Sequence, residues 1–570
     1  MEDGERCDCD IEEKQKNGES PSPTSAEDPV LKALTISGRS AYARLCCLIL
    51  IGLYPTKPER NWIRSITCEL LKNIAPDNKD LHSYIAERID NCEEYDNIES
   101  EIESAVSILI LELGERANWV VTILKDLIVF SLRTGVYDAR TRMLAVRVAE
   151  ELNARLDDIV DVEDELVVEL SAKKTEEELA EEEIRKKEEK RRKLKRNLLI
   201  GFGAVAGATI LGLTGGLAAP LIAAGAGTLL GGGAAAVLAG VQGLAIITSL
   251  FGAAGAGLTG YKMKRRLGEI EQFEFEKLTD GDHLHLTIAI SGWLEEPDQD
   301  DEEEMPETDE EKGFKEPWRT MRLSRERYCL KWEPKYLREV GSGITSLVTS
   351  GAISLATQEA LKFTILQGIM SAIAWPMSVL KLGYLIDNPW GVCARRAAEV
   401  GKQLARVLVE REQGCRPVSL IGFSFGARVI FHCLKALAKM KGGEGLVQDA
   451  ILLGAPVTAD IGDWSAFEKV VAGRIVNGYC KYDWLLKFAY RTAAAQMTIA
   501  GLQPVKWENR RMVNIDLSAV VNSHGDYAKP EIMSRILSTI EKTQPGVGVV
   551  QDRQRTHDPR DKEAQEEERS

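Results

Sequence analysis

Three side chains, Ser424, Asp483 and His524, are of the types that together make a serine hydroxyl a nucleophile. Ser424 is the centre of Gly422-Phe423-Ser424-Phe425-Gly426, a G-x-S-x-G pattern between a short apolar run and a helical run. A serine hydroxyl attacks a carbonyl poorly at neutral pH unless an imidazole takes its proton and an acid orients that imidazole. The pattern therefore predicts acyl transfer with Ser424 as the nucleophile.

The base is found by elimination among six histidines. In an α/β-hydrolase the acid and then the histidine follow the serine in the chain, and only His432, His524 and His557 follow Ser424. His432 lies in the helix after the serine and is expected to face away from it, and His557 lies in the charged C-terminal tail. His524, in the loop sequence SHGDY, remains as the general base.

The acid is placed by counting strands. If the strand before Ser424 is the fifth of the usual eight, residues 450–457, 473–480 and 511–517 are the sixth, seventh and eighth. Asp483 then follows the seventh strand, and His524 follows the eighth. These are the positions expected for the orienting acid and the base. Asp460 and Asp463, after the sixth strand, are the alternatives for the acid.

An oxyanion hole is expected from two backbone N–H groups. One belongs to Phe425, the residue after the nucleophile, and the other to the loop after the third strand, where Gly292 and Trp293 follow the apolar run 284–291. Asp526, two residues after His524, is interpreted as a loop-stabilising or turn residue. No metal site and no cofactor are predicted.

The fold class that must position these residues is α/β, with an α/β-hydrolase domain at 283–543 that carries an acidic loop at 295–311 and a helical insertion at 335–388. Part of that insertion, 340–385, is a candidate lid or membrane-facing segment, and an ordinary buried insertion is the alternative. Before the domain, an all-helical N-terminal domain at 31–170 is indicated by helical periodicity. The polar stretches 1–30 and 544–570 are predicted to be disordered tails.

Two segments of opposite character separate the two domains. Residues 171–196 predict a charged, exposed helix, for which a coiled coil and a solvated spacer are both open. Residues 198–261 contain no Lys, Arg, Asp or Glu, which predicts transmembrane segments, with a buried Gly/Ala-rich hairpin as the alternative. Basic clusters on both sides favour two spans turning near 224–233 with both ends in the cytosol, and three spans are the alternative.

Charge and cysteine content limit the function classes. The formal net charge is −16, which argues against a nucleic-acid partner, and the loop 295–311 supplies much of the acidic excess. The eleven cysteines form no CxxC pair, as expected for a chain that stays in the reducing cytosol. The expected partners are membrane lipids and a lipid-like ester, together with proteins bound by the charged helix or the acidic loop.

The combination of these features resembles the family of transmembrane and coiled-coil domain-containing protein 4, whose members are membrane-associated and α/β-hydrolase-like. The resemblance is carried by the charged helix, the Gly/Ala-rich block, LIGFSFGARVIFHCL, LLGAPV, NGYCKYDWLL and NSHGDY, in that order. It implies a multi-pass membrane protein and a triad of Ser424, Asp483 and His524. It implies no defined substrate, and the sequence lacks the HGGG-type oxyanion motif of better-understood lipases, with Ser291-Gly292-Trp293 in its place.

The sequence thus predicts a membrane-anchored serine esterase or lipase, a carboxylic ester hydrolase, on an intracellular membrane with its hydrolase domain facing the cytosol. Ser424 would attack an ester or thioester, His524 would move the proton, and Asp483 would hold the imidazole. The rival prediction is a catalytically inactive hydrolase-fold membrane scaffold that binds trafficking partners.

Overall fold

The computed structural model describes an N-terminal helical region and an α/β region. The described residues are 34–90, 98–114, 118–170, 246, 270–279, 281–295, 309–349, 389–491 and 498–543. Several predicted segments lie outside them. These are the two tails, the charged helix 171–196, the apolar block 198–261 except Ile246, most of the acidic loop 295–311 and the insertion beyond residue 349.

The N-terminal region is helical in all of its long described elements. Its helices are α1 (Ile36–Leu53), α2 (Arg60–Ile74), α3 (Lys79–Asp90), α4 (Ile98–Leu113), α5 (Trp119–Leu132), α6 (Ala139–Glu151) and α7 (156–170). The hydroxyl of Thr35 starts α1 by accepting a hydrogen bond from the N–H of Gly38 at 3.2 Å. Most of α1 is buried by the helices around it, so it forms the core of the region.

Helix α1 is also the one helix in the described part of the chain that is long and apolar enough to cross a membrane. However, 61% of its 18-residue apolar window is buried inside the protein, as in the core helix of a globular region. Ile246, the one described residue of the apolar block, is buried in the same helical core. The predicted transmembrane segments at 198–261 otherwise lie outside the described residues.

In the described part of the chain, the α/β region is built on a mixed sheet of seven strands. They are β1 (Phe273–Lys277), β2 (Leu286–Ile290), β3 (Glu326–Trp332), β4 (Val418–Phe423), β5 (Val447–Leu453), β6 (Ile475–Tyr479) and β7 (Met512–Asp516). Their order across the sheet is β1-β3-β2-β4-β5-β6-β7, and every neighbouring pair is parallel except β1 with β3. The central strands β2 and β4 are buried at every position, as parallel strands covered on both faces must be.

Helices cover the sheet and connect its parallel strands. They are α8 (Asp309–Lys315), α9 (Pro334–Thr349), α10 (Pro389–Val409), α11 (Phe425–Leu437), α12 (Ile461–Ser465), α13 (Trp484–Arg491) and α14 (Pro530–Lys542). Helices α10 and α11 approach closely at Gly401, because a Cβ there would lie 2.5 Å from the carbonyl oxygen of Val429. These connections bring the carboxyl ends of β2, β4, β5, β6 and β7 to one edge of the sheet, which is where polar side chains of different connections can meet.

The helical region packs against the opposite, amino edge of the sheet. Arg142 of α6 donates to Glu163 of α7 at 2.7 Å and to Gln448 of β5 at 2.6 Å, with all three side chains buried. Arg511, just before β7, pairs with Glu59 at 3.2 Å. These contacts make the helical region the support of the sheet and keep it away from the carboxyl edge.

Two strand predictions differ from the structure. The strand predicted at 450–457 is β5, Val447–Leu453, because the chain leaves the sheet at Gly454, whose φ is +52°, and Pro456 has no N–H to donate. Strand β1 was not predicted, since its alternating Phe and Glu residues lie at the sheet edge with partial exposure. The strand before Ser424 is the fourth in chain order among the seven described.

Candidate active site

Ser424 occupies a strained turn between β4 and α11. Its φ is 52° and its ψ is −123°, a conformation that residues with a side chain rarely adopt and that costs on the order of 1–3 kcal/mol. The N–H of Ser424 donates to the carbonyl oxygen of Leu453 in β5 at 2.9 Å, which anchors the turn to the neighbouring strand. The turn lifts the hydroxyl above the carboxyl edge of the sheet, at the start of α11.

Glycines allow the chain to pass close to this turn. A Cβ on Gly426 would lie 1.9 Å from the carbonyl oxygen of Ile290 in β2, and one on Gly422 would lie 2.8 Å from the carbonyl carbon of Gly426. Both distances are too short for any side chain. The two glycines of the G-x-S-x-G pattern are therefore required by the packing of α11 against β2 and β4.

The structure brings Ser424, His524 and Asp483 into one hydrogen-bonded chain. His524 Nε2 lies 2.7 Å from the Oγ of Ser424, and His524 Nδ1 lies 2.6 Å from an Oδ of Asp483. A neutral imidazole that donates from Nδ1 to the carboxylate can accept the serine proton at Nε2. All three side chains are buried, with exposed fractions of 0% for Ser424 and Asp483 and 1% for His524.

Asp483 is positioned by the turn that follows β6. Its second carboxylate oxygen accepts the N–H of Leu486, in the first turn of α13, at 3.0 Å. This contact satisfies the oxygen that does not face the imidazole and orients the carboxylate.

His524 is held by a capped turn after β7. It begins the short 3₁₀ helix His524–Ala528, in which Ser523 and Asp526 form a capping box. Asp526 accepts the N–H groups of Asn522 and Ser523 at 2.9 and 3.0 Å, and its other oxygen pairs with Lys529 at 2.8 Å. Asp526 therefore stabilises the loop that carries His524, the role expected from the sequence.

The two alternative acids have other partners, and of the alternative histidines His432 lies away from the site while His557 lies outside the described residues. Asp460 caps α12 by accepting the N–H of Gly462 at 2.9 Å, and Asp463 pairs with Lys435 at 2.6 Å. His432 lies on α11, where burial first, and then the positive charge of Arg428, lowers its pKa to about 4. None of these three residues contacts the Ser424-His524 pair.

The loop after β2 lies directly against the nucleophile turn. A Cβ on Gly292 would lie 2.6 Å from the backbone nitrogen of Phe425 and 2.7 Å from the Cβ of Ser424. Two buried indoles fix this loop, since Trp318 Nε1 donates to the hydroxyl of Ser291 at 3.0 Å and Trp332 Nε1 donates to its carbonyl oxygen at 3.1 Å. Gly292 and Phe425, both proposed for the oxyanion hole, thus lie side by side, and their role as donors stays a prediction.

Trp293 follows Gly292 under helix α9. Its side chain is 2% exposed, and a Cβ on Gly341 of α9 would lie 3.3 Å from its ring. The carbonyl oxygen of Leu294 lies only 1.7 Å from the same Cβ position, so α9 could not approach the loop with any larger residue. The first part of the predicted insertion is therefore a helix that buries one face over the loop, with Val340 and Ile344 in the core, and exposes the other face at Gly343.

Aromatic side chains that the sequence did not single out surround the triad. The ring of Trp390, in the first turn of α10, lies 4.5 Å from the ring of Phe425 and 6.2 Å from that of His524. The ring of Tyr527 lies 5.7 Å from His524 on another side. No local pattern indicates these two residues, because they reach the site only through the packing of α10 and of the turn after β7.

Among the residues that the structure describes, no group of three or more His, Cys, Asp or Glu side chains is arranged to hold a metal ion. A second buried Ser–His contact, between Ser419 and His285 at 2.9 Å, lies at the amino edge of the sheet. Burial, followed by the positive charge of Arg142 and Arg416, lowers the pKa of His285, so this histidine stays neutral as a packing residue.

Comparisons with known proteins agree with a family assignment. The family model described as protein of unknown function DUF726 matches residues 192–543. An uncharacterized membrane protein of Caenorhabditis elegans is 42% identical over 71% of this chain and 64% of its own length. The transmembrane and coiled-coil domain-containing protein STS1 of Oryza sativa subsp. japonica is 40% identical over 59% of this chain and 51% of its own length.

A third relative has a name that refers to an activity. The probable lipase MIL1 of Saccharomyces cerevisiae is 34% identical over 73% of this chain and 38% of its own length. The chain thus spans less than two thirds of each of these three relatives. No solved structure matches the chain significantly.

Proposed function

Because this chain belongs to the DUF726 family, whose model covers 192–543, and carries the site described above, we propose that it is a serine hydrolase with an α/β-hydrolase fold. The observation that carries the proposal is the chain of two short hydrogen bonds from Ser424 through His524 to Asp483. The strained turn at Ser424 and the Gly292 loop beside Phe425 support it further. The name of the yeast relative, a probable lipase, is consistent with it.

The proposed reaction is the hydrolysis of an ester or thioester in two steps. The Oγ of Ser424 forms a bond to the carbonyl carbon while its proton passes to His524 Nε2, and backbone N–H groups of Phe425 and the Gly292–Trp293 loop stabilise the oxyanion. The bond to the alcohol or thiol then breaks, and the leaving group takes the proton from His524. Water, activated by His524, releases the acid and restores Ser424.

We also propose that the protein is anchored in an intracellular membrane through residues 198–261, with two spans and the catalytic region on the cytosolic side. The absence of charge in that block and the membrane protein names of the relatives support this proposal. A lipid-like ester in the membrane would then be the substrate.

The topology is measured with tags placed at both ends of the chain and tested for protease protection in sealed vesicles. A protected tag at one end contradicts the two-span arrangement.

The almost complete burial of the triad side chains favours the alternative function, a catalytically inactive scaffold. A fluorophosphonate probe separates the two functions, since it labels only an activated serine. The proposal expects the full-length protein in detergent to be labelled, with labelling lost in Ser424→Ala and retained in Ser419→Ala, the serine of the other Ser–His contact. Absence of labelling in a correctly folded protein would favour the scaffold.

A further inference from the structure

The burial of the triad limits how an ester can reach it. The side chains of Ser424 and His524 are 0% and 1% exposed, so a bound substrate must lie against the side chains that border them. This reasoning rests on the proposed hydrolase function. One of the side chains beside Ser424 and His524 must therefore form the wall of the substrate site.

Trp390 differs from the other aromatic residues near the nucleophile. Trp293 and Trp318 are at most 2% exposed and pack against Phe423 inside the core, at ring distances of 6.5 and 5.6 Å. Trp390, by contrast, is only partly buried, and it contacts the rings of both neighbours of the hydroxyl, Phe425 and His524. Its indole therefore combines partial exposure with a position beside the reacting group.

The chemistry identifies which part of the substrate this indole meets. The leaving oxygen or sulfur must lie next to His524 Nε2, because that nitrogen returns the proton to it. The oxyanion lies instead next to the backbone nitrogen of Phe425 and the Gly292 loop. The ring of Trp390 lies 6.2 Å from the imidazole ring, which sets it beside the leaving-group side, and its 4.5 Å neighbour is the side-chain ring of Phe425, a different group from the backbone nitrogen that faces the oxyanion.

We infer that Trp390 is the specificity-determining residue of the leaving-group site, where its indole limits the width of the alcohol or thiol part of the substrate. The residue is at the second position of α10, directly after Pro389, and α10 is packed on α11 at Gly401. The indole is consequently fixed relative to Ser424, which is in the turn that starts α11. It acts as a wall and takes no part in proton transfer.

Two ester series test this inference on the full-length protein. Acetates of ethanol, 1-butanol and cyclohexanol vary only the leaving group, and ethyl esters of acetic, butyric and octanoic acid vary only the acyl group. In Trp390→Ala the ratio of kcat/KM for cyclohexyl acetate over ethyl acetate should rise at least about tenfold, the effect of one or more carbon-sized groups in an apolar pocket. The acyl series should keep its wild-type ratios.

Two further variants serve as controls. Trp390→Phe retains a smaller ring and should give an intermediate ratio of kcat/KM for cyclohexyl acetate over ethyl acetate. This variant tests the inference even if the alanine variant misfolds. Trp507→Ala removes a partly buried indole before β7 and should leave both series unchanged. Thermal melting and fluorophosphonate labelling of Ser424 are measured on every variant.

The outcomes separate the inference from the function on which it rests. A wild-type protein that hydrolyses esters while Trp390→Ala leaves the alcohol ratios unchanged, or shifts the alcohol and acyl series equally, overturns the role of Trp390 alone. A folded wild-type protein that neither hydrolyses the esters nor reacts with fluorophosphonate overturns the hydrolase function, and the inference with it. A selective shift in the alcohol series supports both.

Discussion

The substitution Gly292→Ala probes the contact between the loop after β2 and the nucleophile turn. The added Cβ would lie 2.0 Å from the carbonyl oxygen of Phe423, 2.6 Å from the nitrogen of Phe425 and 2.7 Å from the Cβ of Ser424. Ordinary contacts between carbon atoms are about 3.5–4.0 Å. Because the turn is fixed by β4 and α11, the loop must move away by roughly 1 Å or more.

The loss of activity depends on the groups that this displacement moves apart, which are the loop after β2 and the nucleophile turn. If the loop supplies an oxyanion donor, its loss should lower kcat by about 100- to 1,000-fold with little change in KM, since the donor acts mainly in the transition state. Overpacking at a buried position should lower the free energy of unfolding by about 1–3 kcal/mol. The two effects are independent, so activity should fall far more than the small loss of folded protein explains.

The matched control is Gly343→Ala in α9, where a Cβ would meet no atom within 4 Å. This exposed helix position should gain about 1 kcal/mol of stability from the higher helix propensity of alanine, with unchanged kcat. The assay combines steady-state hydrolysis with urea unfolding of both variants. A folded Gly292→Ala protein that keeps wild-type kcat would refute the assignment of an oxyanion donor to this loop.

Three further predictions address the acid, the core and a partly buried histidine. Asp483→Asn should lower kcat by about 10⁴-fold at unchanged stability, because an amide holds His524 in the wrong tautomer; stopped assays at saturating ester measure it. Arg416→Met should lower the free energy of unfolding by about 3–5 kcal/mol in urea, since it leaves the fully buried Glu326, 2.6 Å away, without its counter-charge. His432 has a pKa lowered by burial to about 4, below the ~6.5 of an unfolded histidine, so wild-type stability should decline as pH falls from 6.5 to 4 by at most about 1.4 kcal/mol per unit. His432→Gln should flatten that slope.

Each of these predictions has a result that contradicts it. Near-normal turnover in Asp483→Asn would exclude Asp483 as the orienting acid. A double variant with Met at both Arg416 and Glu326 should recover part of the loss, and no recovery would mean that the ion pair is not the cause. An unchanged pH slope in His432→Gln would show that another group titrates in that range.

The two edges of the sheet have separate roles. The buried ion pairs of Arg142, Arg416 and Arg511 lie at the amino edge. Arg416 joins the start of β4 to Glu326 of β3, whereas Arg142, through its hydrogen bond to Gln448, and Arg511 join β5 and β7 to the helical region. The proposed catalytic residues lie at the carboxyl edge. Substitutions at the amino edge should therefore affect stability first, and those at the carboxyl edge should affect activity first.

Much of the α/β region could be predicted from local sequence signals. Apolar runs of five to eight residues bounded by turn residues located β2, β4, β6 and β7 to within a few residues. The edge strand β1 could not be located this way, because its exposed Glu residues remove the apolar run. The end of β5 was misplaced since Ala455 and Val457 are apolar and buried outside the sheet.

The sequence by itself determined which residues are chemically able to form the site, through the order of Ser424, Asp483 and His524 along the chain and the strand that precedes each of them. Only the tertiary structure decided that the imidazole lies within hydrogen-bond distance of both partners, and that Gly292 and Trp390 border the hydroxyl. The physical reason is that residue order and hydrophobic periodicity are local properties of the chain. Distances between loops depend on how the strands pair and the helices pack, and the two hydrogen bonds of His524 join residues 41 and 100 positions apart.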